Sequence, residues 1–344
     1  MKIFFLVPYY FDLHKPILNE LNRQGHEVFV EQDIQLPLDP NRKSEWRVVR
    51  FLKRVIRRVT KLEIRYWDRK IKSVSQYNDY FDLFLCINGC SFHPFLLDNL
   101  KKRNPCIKSV LYLWDTNKYY DYFRYNKYYN RVVTFDLDDA ESEPYVELMH
   151  SYWIPSECKD VKYCIFSVGS DHDDRIEIYS KIYSQLKGLH YSSFIKLVIQ
   201  KPQYLPFVIR IMRIGRYNYK KELSVYEKKK ELPFVTEKKF SIESIINYID
   251  ESVCILDTDM PIQTGVTQRV IWALARGKKV ISTNSNLKRL TFYNGDQIKI
   301  IDRKNPIIDI DFINSKEIFP VCEEIQNLRI DKWVYNLIHL NCKA

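Results

Sequence analysis

Apolar positions along this chain fall into two alternating patterns, short buried runs and stripes at helical spacing. Residues 2–8 predict a first strand. Ile17, Leu18 and Leu21 mark one face of a helix over 16–24, closed by Gly25, and 26–31 returns as a second strand. The runs 80–88, 109–113 and 131–135 predict three more strands. After a linker at 159–162 the alternation resumes: strand 163–168, helix 177–186, strand 194–200 and helix 241–250. A further strand lies within 294–302, and 318–340 has helical spacing. Such a β–α–β succession predicts an α/β protein built on parallel sheets.

The densest part of the pattern is 253–284. Residues 253–256 predict a strand ending in Asp257, 261–267 a polar loop with one glycine, Gly265, and 268–275 a helix whose Val270, Ile271, Leu274 and Ala275 share a face. Gly277 suits the left-handed position after a helix, and 278–282 predicts the next strand. A strand–loop–helix turn presents free backbone N–H groups and a positive helix end at the carboxyl edge of a sheet, where phosphates bind. Arg269, in the first helical turn, can add a forked donor. An ordinary βαβ crossover without a ligand has the same pattern.

Residues 45–76 read as one long helix with a different balance. Eleven basic residues, from Arg47 to Lys72, face only Glu45, Glu63 and Asp68. Val48, Phe51, Leu52, Val55, Ile56, Val59 and Leu62 follow helical spacing, with Trp46 and Trp67 near the ends. A basic amphipathic helix with interfacial aromatics suits an anionic leaflet. A core-packed helix with a solvated basic face is the alternative.

Composition narrows the classes. The net charge of +11 favours an anionic partner, and no helix-turn-helix, RNA-binding or zinc spacing points to specific nucleic acid. Eight scattered cysteines, mostly in apolar runs, suggest reduced thiols in the cytosol. No apolar stretch is long enough to span a membrane, and the N-terminal run is too short for a signal peptide. There is no G-x-G-x-x-G and no Walker loop, so a phosphate site must rest on single glycines and helix ends.

Candidate chemistry follows strand ends. Asp12 and His14 lie past the first strand and His93 past 80–88; all three are acceptor-side candidates. Asp115 ends the strand 109–113, where a carboxylate can deprotonate a hydroxyl, orient it, or cap a helix. Residues 117–130 hold seven aromatics, suited to an amphipathic helix over the sheet or to sugar stacking. Asp136-Leu137-Asp138 has DxD spacing, but in a βαβ setting it reads as helix capping rather than a metal site.

The stretch from Leu256-Asp257 through Pro261, Gln263, Gly265-Val266-Thr267, Arg269, Ala273-Leu274 and Gly277-Lys278-Lys279 to Thr283-Asn284 closely resembles the C-terminal domain of bacterial lipopolysaccharide or capsule biosynthesis proteins, related to CgeB-like glycosyltransferases. Weaker likeness covers most of 1–320, including Trp114-Asp115, Phe135-Asp136, the 163–175 turn and Ile301-Asp302-Arg303. The resemblance implies a GT-B glycosyltransferase, two Rossmann-like domains facing across a cleft: an acceptor domain over 1–157, a donor domain over 158–318, and a terminal segment 319–344 crossing back to the first. It implies a nucleotide-sugar donor held by Gly169, Arg175, Gln263, Thr264, Gly265, Thr267, Arg269 and Asn284, with Asp115 catalytic and no metal or cofactor. It further implies a surface glycan acceptor, lipid-linked, and a cytoplasmic protein peripheral on the inner membrane face through 45–76. Where relatives carry Glu this chain has Trp272, which cannot accept the ribose hydrogen bonds that Glu makes; a non-catalytic GT-B-like binding protein is the alternative.

Overall fold

A computed structural model describes residues 1–10, 12–157, 159–188, 192–202, 218–315, 317 and 319–339. The chain divides into two compact units. The first comprises Met1–Ile154, Ile262–Gln268 and the chain from Gln326 onward; the second comprises Pro155–Pro261 and Arg269–Ile325.

The first unit is built on a six-stranded sheet in the order β2-β1-β3-β4-β5-β6, with β1 Lys2–Val7, β2 Glu27–Gln32, β3 Leu83–Ile87, β4 Lys108–Leu113, β5 Arg131–Thr134 and β6 Val146–Leu148. Every pairing is parallel. Ile3 through Val7 are all 0% exposed. A parallel strand covered on both faces needs such a continuous apolar run rather than alternation. Helix α1, His14–Arg23, follows β1, and Gly25 closes it at φ 80°. The helix Ile330–Ile338 packs in this unit too: Trp333 lies edge-on to Tyr112 and Tyr152, and its Nε1 donates to the His150 carbonyl.

The long helix expected over 45–76 is two helices, α2 Arg47–Thr60 and α3 Leu62–Ser73, with Lys61 between them in the left-handed region at φ 49°. Two inward anchors flank the break. Trp67 of α3 is fully buried in the aromatic core beside Tyr77 and donates to the Ser91 carbonyl. Arg57 of α2 is buried against Asp39 at 3.2 Å and Glu63 at 2.9 Å.

The aromatic stretch 117–130 forms a 3₁₀ helix, Tyr122–Tyr128, kinked at Tyr125, and its rings pack onto the core rather than standing clear of it. It leads into β5 and α5, Leu137–Ser142.

The second unit repeats the plan with a parallel sheet in the order β12-β11-β10-β7-β8-β9: β7 Tyr163–Ser170, β8 Ser193–Val198, β9 Val235–Thr236, β10 Ser252–Asp257, β11 Lys279–Ser282 and β12 Ile298–Ile300. Helix α6, Arg175–Gly188, covers it with Ile178, Tyr179, Ile182 and Leu186. The helix Gln268–Leu274 ends at Gly277, φ 63°, where an added Cβ would sit 2.6 Å from the Phe319 carbonyl oxygen. Both the left-handed backbone and this close approach require glycine.

Candidate functional site

In the second unit the carboxyl ends of β7, β10 and β11 gather three arginines. Arg175, the first residue of α6, donates to the carbonyls of Ser170 at 3.1 Å and Thr258 at 2.8 Å. Arg269 pairs with Asp257 at 2.8 Å. Arg303 grips Asp174 through two nitrogens and reaches Asp259 at 2.7 Å. Asp257 and Asp259 thus each meet one arginine, while Arg175, 9% exposed, has no carboxylate within ion-pair distance among the described residues. Burial lowers its pKa first, and the neighbouring charge of Arg269 lowers it further. Nε of Arg175, Nε of Arg269 and Oγ1 of Thr258 are buried without hydrogen-bond partners. An uncompensated buried cation with unused donors around it suits an anionic ligand. Gly169, in β7, leaves room for the Tyr179 hydroxyl, 3.1 Å from where a Cβ would lie. Asn284 is buried and caps the 3₁₀ helix Ser285–Arg289.

The loop residues expected to share the donor site, Gln263, Thr264, Gly265 and Thr267, belong to the first unit. There Asp136 caps α5 through the Asp139 N–H and also accepts from Thr264 N at 2.7 Å, Thr264 Oγ1 at 2.8 Å and Gly265 N at 3.3 Å. The capping reading of the DxD spacing therefore matches the structure, and Asp136 also ties down the loop. Among the described residues no group of His, Cys, Asp or Glu is arranged to hold a metal ion. A Cβ on Gly265 would lie 2.5 Å from the Phe135 ring and 2.6 Å from its carbonyl oxygen, so this glycine serves packing.

At the carboxyl end of the first unit's sheet, three side chains converge on Asp115. Asn88 donates at 3.0 Å, Tyr122 at 3.2 Å and Gln263 at 3.4 Å. At the end of β2, Asp33 is buried and accepts from Cys90 N, Ser91 N and Ser91 Oγ at 2.6–2.7 Å; burial raises its pKa. Tyr10 sits in the same field: its pKa is pushed up to about 12, mainly by burial, with Cys90, Asp33 and Asp115 adding to it.

The other acceptor-side candidates do not join this cluster. Asp12 is exposed, left-handed at φ 59° and paired with Lys15. His14 is buried at the start of α1, stacked 4.1 Å from Tyr9, and burial lowers its pKa. His93 caps α4, Pro94–Lys101, and lines a basic cavity. Asp33, Asn88 and Tyr122 have no role in the sequence reading, and Arg303 enters it only within the Ile301-Asp302-Arg303 likeness. Asp33 stands just past a predicted strand, and its position there was a usable signal.

No protein-family model matches the chain, and no curated protein matches it in sequence. Among solved structures it resembles an E. coli trehalose-6-phosphate protein bound with UDP-2-fluoro glucose, at 10% identity and a TM-score of 0.51, over 98% of each chain. It also resembles an α,α-trehalose-phosphate synthase (UDP-forming) from Burkholderia vietnamiensis, at 9% identity and a TM-score of 0.53, over 98% of this chain and 97% of that one. These likenesses define the class of fold: α/β, two Rossmann-like units, GT-B.

Proposed function

We propose that the chain is a glycosyltransferase that takes a sugar from a nucleotide-sugar donor. The acceptor in this reading is a bacterial surface glycan (lipopolysaccharide, O-antigen or capsule), lipid-linked at the cytoplasmic face of the inner membrane. One observation carries the donor assignment: Arg175 is a buried cation without a carboxylate, beside Arg269, at the carboxyl ends of β7 and β10. A departing nucleoside diphosphate brings the negative charge that this arrangement lacks, and preorganised arginines stabilise it as it leaves, without a metal ion. The UDP-sugar bound to one GT-B neighbour and the UDP-forming activity named for another make UDP sugars the first donors to try. Asp115, fixed by three donors, takes the role of receiving or orienting the acceptor hydroxyl's proton. The exposed apolar face of α2 supports membrane contact.

Thermal unfolding with a panel of UDP, GDP, CMP, dTDP and ADP sugars tests the donor site. A ligand at 100 times its Kd stabilises by about 2.7 kcal/mol. One nucleotide class should raise Tm, and Arg269→Ala should abolish the shift; no shift with any of them would sink the reading. Trp272, 2% exposed in the second unit, favours the alternative of a binding-only protein. Nucleotide-sugar binding without transfer or hydrolysis would select that alternative.

A further inference from the structure

The first unit contains a cavity of about 420 Å³ whose lining includes Arg54, Arg57, Arg58, Lys61, Arg124 and His93. One carboxylate, Glu63, also lines it and is committed to Arg57 at 2.9 Å. Arg54, Arg58 and Lys61 form no ion pair among the described residues. Arg124 donates to the carbonyls of Asp121, Gly89 and Cys90 and has no carboxylate within ion-pair distance among the described residues, Asp39 acting on it only at longer range; its Nε, like that of the 4%-exposed Arg57, is buried without a partner. The break at Lys61 adds a second feature. It places the start of α3, a 12-residue helix with no side-chain cap, at Lys61, Glu63 and Ile64 on the cavity wall. The positive end of that helix therefore lies on the same cavity wall as the cations.

Helix α2 borders this cavity and is inverted. Its charged stripe Arg50, Lys53 and Arg57 turns inward, to the Pro40 carbonyl, Glu45 and Asp39. Its apolar stripe turns outward: Val48 is 68% exposed, Phe51 61% and Val59 76%. At 100° per residue, Arg54 and Arg58 fall along one flank of that apolar face.

We propose that the cavity is a phosphate-binding site for the head group of a membrane lipid, with the apolar face of α2 in the acyl region beside it. Charge and apolarity are adjacent on one element, as a lipid's head and tail are. The proposal rests on the membrane reading for the source of the phosphate, but the anion site is measurable without a membrane and without any nucleotide sugar.

Two assays on the full chain separate the parts. Inorganic pyrophosphate is titrated by calorimetry, and binding to vesicles of phosphatidylcholine with or without phosphatidic acid is read by cosedimentation at 0.15 M salt. Arg54→Ala/Arg58→Ala, two exposed positions, should weaken both pyrophosphate binding and the phosphatidic acid dependence at least tenfold. Arg65→Ala/Arg69→Ala removes the same charge from exposed positions outside the cavity and should change each less than threefold. Phe51→Asp/Val59→Asp should abolish vesicle binding while keeping pyrophosphate binding. Arg269→Ala should keep the cavity's pyrophosphate affinity, which separates this site from the proposed donor site. Equal losses in the two arginine pairs would reduce the effect to diffuse charge and overturn the proposal. Pyrophosphate binding lost with Arg54/Arg58 but no preference for phosphatidic acid would assign the site to a soluble phosphate instead, and would overturn the lipid assignment.

Discussion

At the scale of single residues, several side chains carry strain or charge that a substitution would release. Asp139 is 4% exposed, and its pKa is raised to about 6, chiefly by burial, with Asp136 adding to it. A raised carboxyl binds its proton more tightly in the folded state. Stability from this group is therefore lost as pH rises from about 4 to about 6. Asp139→Asn keeps an acceptor for the Asn117 N–H and has no such loss. Thermal melts at pH 4.5 and 7 should show the variant gaining about 2 kcal/mol on wild type between the two; equal pH dependence would refute the burial account. Gly265→Ala should cost about 2–3 kcal/mol by overpacking. Adding Phe135→Leu should restore only part of that in a denaturant titration, because the Phe135 carbonyl contact remains.

Elements show the clearest limits of reading from sequence. The longer strands were legible, since buried parallel strands leave unbroken apolar runs such as 3–7 and 83–87, whereas the short edge strands β6 and β9 carry no such run and were not. Asp136 as a cap was legible because Asp before a short helix has few other uses. The direction of α2 was not: periodicity shows that a stripe exists but not which way it faces, and here Asp39 and Glu63 hold the charged side inward. The break at Lys61 was hidden for the same reason, since lysine carries no signal for a left-handed backbone. The inversion predicts a reversal of the usual mutational rule. Phe51→Asp and Val59→Asp should leave stability in solution within about 0.5 kcal/mol. Arg57→Ala strands Asp39 in the interior and should cost about 3 kcal/mol. Urea unfolding of the three variants checks both halves.

For the whole molecule, the GT-B class could be anticipated from the order of strands and helices together with the 253–284 stretch, but the division of residues 262–269 between the two units could not. Arg269 and Gly265 are four residues apart, yet the first packs in the second unit and the other in the first. Only tertiary packing decides that. Arg175 links stability to ligand. Replacing it with Met removes an uncompensated buried charge and two hydrogen bonds to carbonyls, so unliganded stability should change by less than about 1 kcal/mol. The Tm increase given by the nucleotide sugar should vanish in the same variant. Retention of that increase would exclude Arg175 from the donor site.

The helix Ile330–Ile338 has one more consequence. Trp333 joins His150 across 183 residues of chain. A ribosome finishes all six strands of the first sheet long before it makes the helix that seals Tyr112 and Tyr152. The second unit's strands emerge in between as one nearly unbroken stretch and can assemble first. During synthesis the earlier sheet must therefore wait with part of its aromatic core uncovered, so a stalled or truncated chain lacking this helix should be a preferred target for chaperones and proteases.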